Sequence, residues 1–264
     1  MRLPARGWRS AAVFVAVVGA SIIGTSAFAA PDEIQVYLDD VRAPGATGIE
    51  LHLNHVPKGR RTPDYPGEIP PHGVFRATPE FSVGLRPDWD MGLYLPTEVA
   101  PGANAYMDGA RIRLKYLAPP ESTKPFFWGV NVEAGYVPRR VSEDRYAAEL
   151  RWIFGYRTGP WLLAVNPIFG FALSGPDKSS TPDLDVNFKA ARQINDEWAL
   201  GFEHYAGFGR INNIPGSAQQ EHVFYFAVDF ERKDFGANVG IGRGLTSASD
   251  DWVVKAILSI PMKW

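Results

Sequence analysis

From about position 47 to the end of the chain, stretches of about ten residues alternate apolar and polar side chains, with short clusters of turn residues between them. In a strand, successive side chains point to opposite faces, so this alternation specifies a two-faced sheet and little else. Helical periodicity is hard to find. Twelve strands account for the pattern, at 47–56, 73–86, 89–97, 108–117, 126–138, 144–157, 160–174, 182–194, 196–208, 220–231, 234–243 and 251–264.

Parity separates the faces. Trp252, Val254, Ala256, Leu258, Ile260, Met262 and Trp264 share one side of the last strand. Tyr146, Leu150, Trp152, Phe154 and Tyr156 form a matching row, as do Trp198, Leu200, Phe202 and Phe208, and Phe224, Phe226, Val228 and Phe230. These rows carry almost no charge. The opposite rows are polar: Glu50, His52, Arg76, Glu80, Arg111, Arg113, Lys115, Glu133, Glu149, Arg151, Asp185, Lys189, Glu203, Tyr205, Tyr225, Asp229 and Lys255.

A soluble β-sandwich produces the same alternation. Two features favour lipid instead. The strands are numerous enough to close one ring, and lipid tolerates no open sheet edge. The aromatic residues also gather near strand ends. Tyr116, Trp128, Tyr156, Trp161, Trp198 and Trp264 fall beside one set of turns, and Tyr136, Tyr146, Phe208 and Trp252 beside the other. Two such belts are the mark of interfacial anchoring. The expected fold is all-β, a closed antiparallel transmembrane β-barrel of about twelve strands.

The connections support this and orient the chain. Tight turns follow even-numbered strands: RPDWD (86–90), RTGP (157–160), IND (194–196) and ERKD (231–234). Longer ones follow odd-numbered strands, at 57–72, 98–107, 139–143, 175–181, 209–219 and 244–250. Outer-membrane barrels have short periplasmic turns and longer outer loops, which puts both termini in the periplasm. APPESTKP (118–125) breaks the rule and leaves the strand count open there.

The first residues read as an export signal. Arg2, Arg6 and Arg9 form a positive region, 11–23 is apolar, and Ala27 and Ala29 supply the A-x-A pattern of signal peptidase. Residues 1–29 are expected to be removed, leaving 30–46 as a periplasmic segment before the barrel at 47–264. The alternative is an N-terminal anchor. With Asp32, Glu33, Asp39 and Asp40, the segment 30–46 either folds into the lumen as a plug against Arg111, Arg113 and Lys115 or hangs free.

Composition narrows the functions. The formal net charge of -2 offers no basic face for nucleic acid. A mean hydropathy of -0.15 is too low for a helical membrane protein. The chain has no cysteine, which removes disulfides and thiolate metal sites. None of the five histidines, His52, His55, His72, His204 and His222, has HExxH spacing or lies beside a GxSxG serine, so no catalytic residue, metal site or cofactor is expected.

The segment HVPKGRRTPDYPGEIPPHGVFRATPEFSVGLRPDWDMGLYLPT (55–97) resembles the start of a group of proteobacterial envelope barrels, as do FALSGPD (171–177) and GIGRGLTSASDDWVVKAI (240–257). These are loosely similar to the MetA-pathway of phenol degradation outer-membrane proteins and related transporter-type barrels. The resemblance implies the barrel and an outer-membrane location, but no solute.

A barrel of twelve strands is intermediate in width between filled eight-stranded barrels and water-filled porins. Its inward charges nearly alternate in sign from strand to strand, which suits cross-strand pairing. The expected function is a narrow channel for small solutes, charged or aromatic among them, with a mixed-charge lumen. A structural envelope barrel without transport is the alternative, and a lipid-acting outer-membrane enzyme a more distant one. The expected partners are outer-membrane lipid and lipopolysaccharide, the latter through Lys58, Arg60 and Arg61, and the barrel assembly machinery through the strand ending at Trp264.

Export processing gives the first test. N-terminal sequencing of the protein purified from outer membranes should begin at Ala30; a sequence beginning at Met1 would favour the anchor.

Overall fold

In a computed structural model the described residues are 33–119 and 124–262. The expected leader and Trp264 lie outside them. Fourteen strand segments run β1 (Thr47–Lys58), β2 (Phe75–Arg86), β3 (Trp89–Tyr94), β4 (Thr97–Val99), β5 (Ala105–Met107), β6 (Ala110–Leu117), β7 (Phe126–Tyr136), β8 (Tyr146–Thr158), β9 (Trp161–Ala172), β10 (Asp183–Gln193), β11 (Trp198–Arg210), β12 (Glu221–Arg232), β13 (Phe235–Gly244) and β14 (Trp252–Met262). Helical structure among the described residues amounts to one 3₁₀ turn, Ser217–Gln219.

The segments make twelve barrel strands, all antiparallel to their neighbours. β4 continues β3 along the same ladder on β2, and β5 leads into β6. Closure comes at β1, which pairs with β2 through Thr47↔Val83 to His55↔Phe75 and with β14 through Thr47↔Met262 to Lys58↔Trp252. The sheet is a closed antiparallel barrel, as its alternation predicts.

The third predicted strand, 89–97, is interrupted, and the fourth, 108–117, runs unbroken only from Ala110, with Asp108 and Gly109 separating it from β5. Pro96 has no N–H to give the ladder, so the strand breaks after Tyr94 while Leu95 N–H still donates to the Pro79 carbonyl (3.0 Å). Asp108 N–H donates to the Pro96 carbonyl (2.8 Å), and the β4–β5 hairpin beyond it carries this part of the wall further outward. The predicted loop 98–107 is therefore partly strand. At the long connection 118–125 no further wall strand intervenes, because β6 pairs directly with β7 from Ala110↔Tyr136 to Leu117↔Gly129.

The two faces separate as alternation requires. Outside, Phe81, Ile112, Val132, Phe202, Phe226, Ile241 and Ile260 are each more than two-fifths exposed, with no layer over them among the described residues. A continuous apolar surface of this extent is suited to lipid. Near the tight turns Trp89, Tyr116 and Trp128 form a chain of ring contacts at 5.0 and 5.9 Å, and Trp198 meets Phe230 at 4.7 Å. At the other end Tyr136 meets Tyr146 at 5.3 Å and Phe208 meets His222 at 5.5 Å.

Residues 33–46 run inside the barrel before joining β1. At the lower rim the chain crosses Gly84: Gly45 N–H donates to the Gly84 carbonyl (2.8 Å) and Gly84 N–H to the Ala46 carbonyl (2.9 Å). A Cβ at position 84 would overlap the carbonyl oxygens of Arg42 and Ala43, so only glycine permits this approach. Higher up, Tyr37 packs with Leu117 and Ile153, and Ile34 with Val56, Tyr225 and Val253.

A closed barrel of this kind resists detergent until heated. On a gel the unboiled protein should run ahead of the boiled one, and identical mobility of a properly refolded sample would refute closure.

Candidate functional site

All seventeen inward candidates lie on the lumen side of the pleat, and fifteen of them fall into three ionic groups. The first joins β1, β2, β3 and β6. Arg113 donates Nε–H to Glu80 Oε1 (2.6 Å) and also reaches Asp90. Lys115 Nζ lies 3.7 Å from Asp90 and 3.2 Å from Asp40 of the inner segment. His52 Nε2 stands 3.6 Å from Glu80 Oε2. Arg42 donates Nε–H to Ser82 Oγ (2.5 Å) and places a guanidinium nitrogen 3.4 Å from Glu50.

A second group spans β6 to β8. Arg111 lies 3.5 Å from Glu33 and 3.9 Å from Glu133. Arg151 donates Nε–H to Glu149 (2.9 Å) and a guanidinium N–H to the Gln35 carbonyl (3.2 Å), with its plane over the Tyr37 ring. Tyr37 is the centre of this group. Its hydroxyl donates to Glu133 (3.0 Å) and pairs with the Tyr94 hydroxyl (2.7 Å). Its backbone N–H donates to Asn166 Oδ1 (2.6 Å), and Asn166 Nδ2–H returns a bond to the Tyr37 carbonyl (3.1 Å).

The third group, from β10 to β14, surrounds Glu203. This carboxylate pairs with Lys255, with Lys189 at 3.1 Å, and accepts the Tyr205 hydroxyl at 2.7 Å. Lys189 also pairs with Asp229 (2.6 Å), and Lys255 donates to the Ile34 carbonyl (3.0 Å). Tyr225 meets Tyr205 edge-on at 5.3 Å and lies over Gly242, where a Cβ would collide with its ring. Asp185 faces Gly207 across the β10–β11 ladder, apart from these groups. Arg76 pairs near the outer rim with Glu98 at 3.0 Å.

Most of these charges are buried, with Arg42, Glu50, Arg111, Glu149 and Asp229 half-buried and Asp40 exposed, and a charge taken out of water loses solvation that protein does not fully replace. Each group offsets that loss with paired opposite charges and charge-assisted hydrogen bonds. The inner segment contributes to all three, through Asp40 and Arg42, through Glu33 and Tyr37, and through the Ile34 carbonyl. Below Ile34 it leaves a cavity of about 330 Å³ against the β12–β14 wall. Asp40, Arg42, Glu50, Lys189, Asp229 and Glu231 are among its lining residues, and Arg232 and Lys233 of the tight β12–β13 turn stand at its lower end.

Several of these residues were not among the inward candidates. Asp90 and Tyr94 share the inward parity of β3, a signal that was readable. Asn166 lies on a strand whose inward row, Ala164, Asn166, Ile168, carries no charge, and nothing in the alternation marks Tyr37. At the outer end, Lys58 pairs with Asp251 (3.0 Å), and Arg60 with Glu68 (2.7 Å) and Asp64 (3.1 Å), so these two cations already have carboxylate partners. Burial raises the carboxyls of Asp144 and Asp250 in neighbouring loops. His204 and His222 stack outside the barrel with ring centroids 5.3 Å apart, and His55 Nδ1 lies 3.0 Å from the Val74 carbonyl.

The Glu203 group yields a double-mutant test. Lys255→Met leaves part of a buried carboxylate charge uncompensated and should cost about 3–5 kcal/mol. Lys255→Met with Glu203→Met should cost less than the sum of the two single changes. Urea unfolding in detergent micelles measures both, and additive losses would mean that the pair is not coupled.

Comparison with known proteins bears on the fold. No protein-family model matches the chain, and no curated protein matches it by sequence. The phenol-pathway resemblance of segments 55–97, 171–177 and 240–257 thus gains no support from a family match. Among solved structures, an outer membrane channel from Pseudomonas putida F1 superposes with a TM-score of 0.62 at 12% identity, covering 87% of this chain and 100% of that one. The KdgM porin in complex with disordered oligogalacturonate gives 0.55 at 7% identity, over 82% and 99% of the two chains. The NanC porin gives 0.54 at 9% identity, over 83% and 100%. The chain has the fold of these outer-membrane barrels.

Proposed function

We propose that this protein is an outer-membrane channel for small polar or charged solutes, narrowed by its own residues 33–46. The observation that carries this reading is the way the segment is held. It crosses a lumen lined with both signs of charge, and above Gly84 its contacts are mainly with side chains. Such attachments can be exchanged for water or a charged solute more readily than a strand can leave a sheet. The mixed-charge cavity beside the segment is a ready solute compartment on the side of the tight turns. The similar channels and porins support this reading through their shared fold. The oligogalacturonate in complex with the KdgM porin is an example of a solute found with such a barrel, not an assignment of the solute here.

One observation favours the structural alternative. Ile34, Val56, Tyr225 and Val253 form an apolar cluster that seats the inner segment on the β12–β14–β1 side of the outer half of the lumen. An apolar anchor combined with satisfied ion pairs would brace a wall without passing anything. A lipid-acting enzyme has less support, since the contacts of His55, His204 and His222 are not those of a base held on a serine nucleophile.

Planar-bilayer recording separates the readings. The intact protein should show small conductance steps, and deletion of residues 33–42 should enlarge them severalfold. A Tyr37→Cys/Asn166→Cys protein, joined by a short thiol-reactive linker, should remain at the small level. A folded deletion variant that conducts no ions would overturn the channel reading in favour of the structural one.

A further inference from the structure

Glu50, His52 and Glu80 lie together on the inner wall where β1 meets β2. One potential ligand atom from each falls within 4.8 Å of the other two. Glu50 and Glu80 are direct cross-strand partners, and His52 is two residues along on the same face. Like charges placed directly opposite each other repel, and burial limits the water that would screen them: His52 is 0% exposed and Glu80 1%, while the Glu50 side chain is 13% exposed toward the cavity.

The local cations do not fully answer this arrangement. Arg113 occupies Glu80 Oε1, which turns Oε2 toward His52. Arg42 approaches Glu50 only at 3.4 Å. Both ring nitrogens of His52 are buried without a hydrogen-bond partner, although buried polar groups nearly always have one. Nε2 stands 3.6 Å from Glu80 Oε2, outside hydrogen-bond reach. Ligands held at about 2.0–2.2 Å on a tetrahedral ion stand about 3.3–3.6 Å from each other. The gap between imidazole and carboxylate is therefore too wide for a hydrogen bond and right for a shared ion.

We infer that Glu50, His52 and Glu80 form a binding site for a divalent transition-metal cation, with Zn²⁺ the suitable probe. One neutral imidazole and two carboxylates match the preference of this ion for mixed nitrogen and oxygen ligands and leave a position for water. The Arg113–Glu80 bond acts from outside, holding the carboxylate in a ligating orientation. A bound dication also offsets the repulsion between Glu50 and Glu80. The site stands on the wall itself, so it does not depend on whether the barrel conducts.

The test is zinc titration of the refolded, chelator-stripped barrel in detergent, read by competition with a chromogenic chelator. The expected result is one zinc per chain. His52→Phe, which keeps the ring volume, should weaken binding about tenfold or more. Glu50→Gln should also weaken it and serves if the histidine variant does not refold. Replacing the outer pair by His204→Ala/His222→Ala should leave binding intact. X-ray absorption at the zinc edge should show one imidazole among oxygen neighbours. No uptake by the intact protein, unchanged binding in the His52 or Glu50 variant, or loss only in the His204/His222 variant would overturn the proposal.

Discussion

The backbone ladder between β1 and β14 is the constraint on which the rest depends. A strand at a sheet edge carries a row of unpaired N–H and C=O groups, and hydrocarbon offers nothing to satisfy them. Pairing Thr47–Lys58 with Trp252–Met262 removes both edges at once. Closure then fixes the sidedness of every residue. Whatever points inward must share a narrow interior, and whatever points outward must suit lipid.

The interior is where this constraint costs most. A twelve-stranded ring is too wide for its own wall side chains to fill and too narrow to be generously hydrated. The chain meets this by returning its first described residues through the middle. Tyr37 alone joins β3, β7 and β9 by hydrogen bonds to Tyr94, Glu133 and Asn166. The inner segment is therefore both a filler of space and a source of polar partners, and the wall charges are arranged around it.

Much of this organisation can be read from alternation alone, because a period of two determines which side each residue faces once one face is known. The strand positions, the lumen side of Arg113 or Lys255 and the lipid side of Phe202 or Phe226 all follow from parity. Which charges pair does not follow, since strand tilt and register decide whether Lys255 meets Glu203 or some nearer acid. The break at Pro96 is legible in its missing N–H. Tyr37 was illegible for a different reason: it lies outside any strand, and its environment is made by residues distant in sequence, whereas Glu33 was legible as one of the acids set against Arg111, which it meets at 3.5 Å. The Glu50–His52–Glu80 cluster has no motif spacing, because two of its members are neighbours only through the β1–β2 ladder.

The bond from Lys255 to the Ile34 carbonyl joins residues 221 apart in sequence. The seam between β1 and β14 likewise joins the two ends of the strand series. Contacts of such separation carry a large loop-closure cost and form late. Tight hairpins such as β8–β9 and β12–β13 can zip as soon as both their strands exist, whereas the seam and the upper anchor of the inner segment must wait for β14. The inner segment also has to be within the curved sheet before the seam closes, or else thread through the finished ring afterwards. The kinetics of assembly thus favour a sequence in which the interior is loaded first and the wall sealed around it.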